Sequence, residues 1–206
     1  MKTYISILRG INVSGQKKIL MADLKKLYES LGFINVQTYI QSGNIIFNYQ
    51  NTENNNNDNE ITLAEIQQNI SLQIANKITD KIAEQYDFQV PVIIRNVEEM
   101  ESCIKNNHFI RKYADLDKFH VSFLSQIPTE SNIDKLNDKA KEGYFGDDEY
   151  LILGKEVYLY CPNGYGITKL SNNFFENKLK VIATTRNWKT VNELLRIAQN
   201  SYNMSL

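Results

Sequence analysis

The feature that most constrains this chain is the order of its hydrophobic patterns. Over residues 1–96 they read strand, helix, strand, strand, helix, strand. "YISIL" (4–8) is apolar and β-branched, the mark of a strand. "MADLKKLYESLG" (21–32) sets Met21, Leu24, Leu27, Tyr28 and Leu31 on one helical face and stops at Gly32. In "VQTYIQSGNIIFNY" (36–49) two strand-like runs flank Ser42-Gly43-Asn44, where Gly with Asn suits the positive φ of a tight hairpin. Thr62 and Glu65 make a capping box, and Ile66, Ile70, Ile74, Ile78 and Ile82 recur at near-helical spacing to about residue 86. "VPVIIRN" (90–96) closes the series as a strand. This order predicts a ferredoxin-like split βαβ unit. The polar tract at 51–60, "NTENNNNDNE", has no periodicity and reads as a flexible loop.

The rest of the chain repeats most of that order. A helix over 97–107 leads in, followed by a strand at 120–124, a helix near 130–141 and a hairpin over 150–161 turning at Gly154-Lys155. A helix at 172–180 comes next, and then a final one at 189–200, with Thr190 as its cap and Glu193 completing a second capping box. The last strand of this half is missing or short, with "KVIAT" (180–184) as its candidate. The order of elements repeats, but no sequence repeat is evident. The expected architecture is α+β: two ferredoxin-like (split βαβ) halves with antiparallel sheets and helices packed on them. The N-terminal half is 1–96, and the C-terminal α+β half is 97–206.

Composition matters mainly by exclusion. Formal net charge is −1, which argues against a chain that coats nucleic acid or anionic membrane by bulk electrostatics. The apolar run in "MKTYISILRG" is too short for a signal peptide, and none reaches the roughly 20 residues of a membrane span. A soluble cytoplasmic protein with no membrane partner is expected. Two cysteines, Cys103 and Cys161, cannot form a disulfide framework. His108 and His120 lack neighbouring Cys or acidic ligands, so no metal site is expected. Neither the phosphate-loop pattern nor Gly-x-Gly-x-x-Gly is matched, and no cofactor is expected. Cys161 reads as a small buried residue, and Ser42 would need a base supplied by the fold to act as a nucleophile. The sequence therefore assigns no catalytic residue and leaves open whether the protein is an enzyme.

The polar residues point to binding instead. A helix crossover makes the first two strands parallel, so the end of strand one and the following hairpin lie at the same end of the sheet. "RGINVSGQKK" (9–18) would then sit beside "QSGN" (41–44). Arg9, Asn12, Lys17, Lys18, Ser42 and Asn44 would share one rim, with close backbone approach at Gly10, Gly15 and Gly43. Such a rim suits an anion or a phosphorylated group. A second group is "TTRNWKT" (184–190): Arg186 and Asn187 beside a helix N-terminus make an anion site, and Trp188 either stacks on a flat ligand or packs the helix onto the core. A third is "CPNGYGITK" (161–169), a sharp loop that reads as a backbone anion nest with Lys169 beside it. "GDDEY" (146–150) reads as a solvated turn.

"YISILRGINVSGQKKILMADLKKLYESLGF", "TYIQSGNIIF", "YCPNGYGITKL" and "TTRNWKTVNEL" together resemble, in order and over almost the whole chain, the bacterial family called domain of unknown function 1697. The resemblance implies a duplication of ferredoxin-like α+β halves. It marks Arg9, Gly10, Asn12, Gly15, Ser42, Gly43, Asn44, Arg186, Asn187, Trp188 and Thr190. Where many members carry Gly-Gly after the Val, this chain has Ser14-Gly15. The family brings no reaction with it.

The leading expectation is therefore an anionic, phosphorylated small ligand in one polar cleft. Arg9, Lys169 and Arg186 would supply charge, and Asn12, Ser42, Asn44 and Asn187 would orient the ligand. Single-stranded nucleic acid ranks second, with Tyr4, Phe47 and Tyr49 as a stacking surface. A structural protein without a ligand site is the third reading. Oligomeric state is left open.

Overall fold

In the computed structural model, residues 1–50 and 62–203 are described. The Asn-rich tract expected to be a flexible loop falls outside them. The chain forms two compact units, Met1–Met100 with Leu194–Leu206, and Glu101–Glu193.

The first unit runs β1 (Lys2–Leu8), α1 (Met21–Ser30), β2 (Ile34–Tyr39), β3 (Asn44–Tyr49), α2 (Leu63–Tyr86) and β4 (Val92–Asn96). Its sheet has the order β2-β3-β1-β4, and every paired strand is antiparallel. β1 and β2 therefore run the same way, as the crossover requires. Leu24, Leu27 and Tyr28 of α1 and Ile74, Ile78 and Ile82 of α2 pack on Tyr4, Leu8, Ile45, Phe47, Val92 and Ile94 of the sheet. Only the last three members of the α2 isoleucine stripe are deeply buried, and Ile66 is exposed. The Thr62–Glu65 capping box forms as read, with the Glu65 carboxylate accepting the Thr62 N–H at 2.8 Å. One polar contact crosses this core: the Ser6 hydroxyl lies 2.7 Å from the Tyr28 hydroxyl, and burial raises the Tyr28 pKa.

α3 (Val97–Lys105) follows directly on β4. The second unit then runs β5 (Phe119–Leu124), α4 (Glu130–Lys141), β6 (Glu149–Leu153), β7 (Glu156–Tyr160), α5 (Asn172–Leu179) and β8 (Ala183–Asn187), before α6 (Trp188–Asn203). Its sheet order, β6-β7-β5-β8, repeats that of the first unit. Leu136 of α4 and Phe175 and Leu179 of α5 cover Leu124, Val157, Leu159 and Ala183. The expected hairpin turn falls at Gly154-Lys155, with Gly154 at φ +60°.

Two expectations are corrected here. The last strand is present and lies later than "KVIAT", at Ala183–Asn187. Helix α6 accordingly begins at Trp188 rather than after Thr190. Its cap is Asn187, whose Oδ1 accepts the Thr190 N–H at 2.8 Å. The β-branched pair Thr184-Thr185 explains the shift, since such residues favour the pleated strand and suppress helix until the capping Asn.

The halves also share a local sequence repeat that the pattern reading missed. Arg95 faces Ile5 across the β1–β4 ladder, and Arg186 faces Val121 across the β5–β8 ladder. Each arginine donates from Nη1 to the carbonyl of the residue before it, Ile94 or Thr185, at 2.9 Å. Each is followed by an asparagine that caps a helix. Asn96 Oδ1 accepts the Glu99 N–H at 2.7 Å, as Asn187 accepts that of Thr190.

Candidate functional site

In the first unit the segment after β1 lies against the β2–β3 connection. The Leu8 N–H donates to the Gly43 carbonyl at 2.8 Å, which brings the segment after β1 against the β2–β3 connection. Asn12 stitches the two together. Its Nδ2 donates to the carbonyls of Ile19 (3.0 Å) and Gln41 (2.9 Å), and its Oδ1 accepts the Ile19 N–H (3.0 Å). Asn12 is thus committed to holding the loop and is not available to orient a ligand. Asn44 is buried, and its Nδ2 donates to the Tyr39 carbonyl (3.1 Å) and the Ser42 hydroxyl (2.9 Å). The connection spans residues 40–43, with Ile40 and Gly43 at positive φ. Asn44, expected to share the turn's positive φ, instead opens β3.

The backbone of the rim is unusual. Gly10, Asn12, Ser14, Gly15 and Lys17 all have positive φ, three of them non-glycines, at +55°, +50° and +45°. Each such residue costs on the order of 1 kcal/mol or more, so the surrounding contacts must hold it there. Among the described residues, the amides of Gly10, Ser14 and Gly15 donate to no backbone carbonyl. Ser14, Gly15, Lys17 and Lys18 are exposed, while Arg9 and Ser42 are half-buried. The Lys17 ammonium donates to the Gln89 carbonyl at 2.7 Å.

The other expected site residues belong to the second unit and are internal to it or already engaged. Arg186 is 8% exposed, and its Nη1 also donates to the Thr184 hydroxyl at 3.0 Å. Burial lowers its pKa to about 10, which still leaves it charged at neutral pH. Asn187 is spent as the α6 cap. Trp188 is 6% exposed and so packs rather than stacking on a ligand in solution. Thr190, expected as the cap, is buried in the first helical turn. In the 161–169 loop the amides of Gly164, Ile167 and Thr168 donate to Cys161, Gly164 and Tyr165, while among the described residues those of Asn163, Tyr165 and Gly166 donate to no backbone carbonyl. The Lys169 ammonium sits 4.3 Å over the Tyr144 ring and donates to the Tyr144 carbonyl at 2.9 Å.

The stacking surface proposed for nucleic acid is overturned. Tyr4 and Phe47 face α1 and α2, stack on each other at 6.0 Å, and lie in the core. Their strand alternation was read correctly, but they occupy the covered face. Cys103 and Cys161 are buried free thiols, and burial pushes the Cys161 thiol up to about 11, far from a reactive thiolate. Among the described residues no group of three or more His, Cys, Asp or Glu could hold a metal ion, and no helix is long and apolar enough to cross a membrane.

Sequence reasoning missed two features. One is the Arg95-Asn96 pair, legible in retrospect because Arg-Asn precedes a helix twice. The other is a cavity of about 300 Å³ beside α4, lined by Tyr144, Asp147, Asp148, Asn163, Ile167 and Lys169 among others. Its signal was the pair of glycines, Gly143 and Gly146, that turn the chain ahead of "DDEY".

Two four-stranded antiparallel sheets of identical order, each with helices on one face, make this a duplicated ferredoxin-like α+β protein. A family model described as protein of unknown function (DUF1697) matches residues 1–158, and the chain belongs to that family. A similar solved structure is that of the conserved bacterial protein SP0830 from Streptococcus pneumoniae. It is 24% identical, with a TM-score of 0.59 over 96% of this chain and 98% of that one, a likeness of fold. A search among curated proteins finds no match.

Proposed function

We propose that the rim of the first unit binds an anionic small molecule, with a phosphorylated compound as the favoured class. The observation that carries this reading is the run of positive-φ residues Gly10, Asn12, Ser14, Gly15 and Lys17. Among the described residues the amides of Gly10, Ser14 and Gly15 within that run donate to no backbone carbonyl. Alternating positive and negative φ lets successive N–H groups converge on one anion. Arg9 and Lys18 bring positive charge to the same loop, and Ser42 brings a hydroxyl. Asn12 holds the geometry before ligand arrives, which lowers the ordering cost of binding.

The test is a thermal-shift panel of inorganic phosphate, pyrophosphate, nucleotides and sugar phosphates. A ligand at about 100 times its dissociation constant adds roughly 2.7 kcal/mol, or about 5–10 °C for a chain of this size. The expected result is a shift that disappears in the Arg9→Ala, Lys18→Ala double variant and survives in Lys169→Ala. A panel without any shift, or one whose shift survives the double variant, refutes the reading.

A further inference from the structure

Strands β2 and β6 hold the same place, each at one edge of its sheet. An edge strand leaves every second backbone N–H and C=O without a ladder partner, and proteins blunt such edges with bulges, charges or proline. β2 is blunted. Its register against β3 shifts between Ile34 and Gln37, and Asn35 sits at φ +54°. β6 is not. It pairs with β7 without a break from Glu149–Tyr160 to Leu153–Glu156. Its sequence, EYLIL, has no proline and no lysine. Its one charge, Glu149, accepts from the Lys112 ammonium at 2.8 Å and from the Tyr113 hydroxyl.

The strand is apolar on both faces. Tyr150 and Ile152 pack on the core of their unit, and by alternation Leu151 and Leu153 lie on the opposite face. Leu153 is 43% exposed. The two-residue turn at Gly154-Lys155 fixes which backbone groups face outward. Leu153 and Glu156 close the hairpin as a hydrogen-bonded pair, so Leu151 and Glu149 also bond to β7. The N–H and C=O of Tyr150 and Ile152 therefore point to the open edge. Among the described residues no loop or helix backbone meets them.

We infer that this edge pairs antiparallel with β6 of a second copy of the chain, centred on Leu151. The strand is its own complement in that register. Tyr150 of each copy lies opposite Ile152 of the other, so the outward groups of both residues meet in four backbone hydrogen bonds. The two Tyr–Ile pairs are of the favourable aromatic and β-branched kind, and Leu151 meets Leu151. Beyond the strand, the exposed Asp147 approaches Lys155 of the second copy, a pairing of opposite charges. The two four-stranded sheets become one of eight. Five residues a side make a small interface, so the dimer is a weak one.

The test is sedimentation velocity of the full chain from about 1 to 200 µM, a range that brackets a weak association. The expected weight-average mass rises toward that of two chains. Leu151→Lys sets two ammonium groups opposite each other and should weaken the association about tenfold. Ile34→Lys, on the blunted edge β2, should leave it unchanged. Cross-linking with diamide reads the register independently of the lysine variant. Residue 151 of the two copies is a non-hydrogen-bonded pair with Cα atoms about 4.5 Å apart, within disulfide reach, so Leu151→Cys should form a covalent dimer. Residue 153 of one copy lies about 13 Å along the strand from 153 of the other, so Leu153→Cys should not. The native Cys103 and Cys161 are buried and stay out of the reaction. A mass of one chain at every concentration, a dimer that Leu151→Lys leaves intact or Ile34→Lys dissociates, or equal cross-linking by both cysteine variants overturns the inference.

Discussion

A Cβ on Gly43 would lie 2.7 Å from Leu8 Cβ and 2.9 Å from Ile11 Cδ1, and the residue sits at φ +77°. Gly154, in the matching hairpin, sits at φ +60° with nothing within 4 Å of such a Cβ. Gly43→Ala should therefore cost about 3 kcal/mol, from left-handed strain plus overpacking, and Gly154→Ala about 1 kcal/mol from strain alone. Urea unfolding of the two variants measures the difference. His120 makes a second prediction at this scale. Its ring stacks on Tyr165 at 4.7 Å, and among the described residues its buried Nδ1 has no hydrogen-bond partner. Burial lowers its pKa, with a backbone hydrogen bond to Lys118 acting the other way. The folded state thus holds fewer protons than the unfolded one between that lowered pKa and the ordinary value of about 6.5. Stability is lost as pH falls through that window. The melting temperature of His120→Gln should fall less than that of the parent between pH 7.5 and 5, conditions chosen to span about a unit on either side.

Helix α6 is the element whose start was hardest to read. Thr190 and Glu193 have the spacing of a capping box, and the apolar face begins at Val191, so sequence favoured Thr190. Asn187 has the same capacity three residues earlier, and only the ladder of β8 against β5 shows that the strand ends there. Asn187→Ala should destabilise by about 1 kcal/mol, with Asn187→Asp close to neutral. Arg186→Ala, which removes a buried charge from its hydrogen bonds, should cost about 3 kcal/mol. Chemical denaturation ranks these variants. The same difficulty runs through the site residues. Arg, Asn and Trp ahead of a helix carry identical chemistry whether they meet a ligand or the protein's own backbone. Burial separates the two roles, and burial depends on strand pairings distant in sequence. Asn12 is a similar case: its three side-chain bonds reach residues 19 and 41.

At the scale of the molecule the architecture was legible early, because alternation, helical periodicity and capping boxes all pointed to one order of elements. The duplication was legible only as that order, since the shared residues reduce to a few positions such as Arg-Asn. The second unit carries convenient reporters. Cys103, Cys161 and Trp188 all lie within Glu101–Glu193 and are all buried. Neither thiol should react with a water-soluble disulfide reagent in the native protein. Thiol exposure and tryptophan emission should then change at the same denaturant concentration. Different midpoints would mean that this unit opens in parts.

The equivalence of β1 with β5 turns the two halves into an internal control. After β5 the chain reaches α4 through residues 125–129 alone, whereas after β1 it takes residues 9–20 to reach α1. One copy shows that this junction closes with a short, simple linker. The longer, conformationally strained version in the other copy therefore does more than close the junction: it sends Ile11 and Ile19 into the core of its unit and carries the run of positive-φ residues, so a chimera with the short linker there should lose that run and part of the unit's stability together.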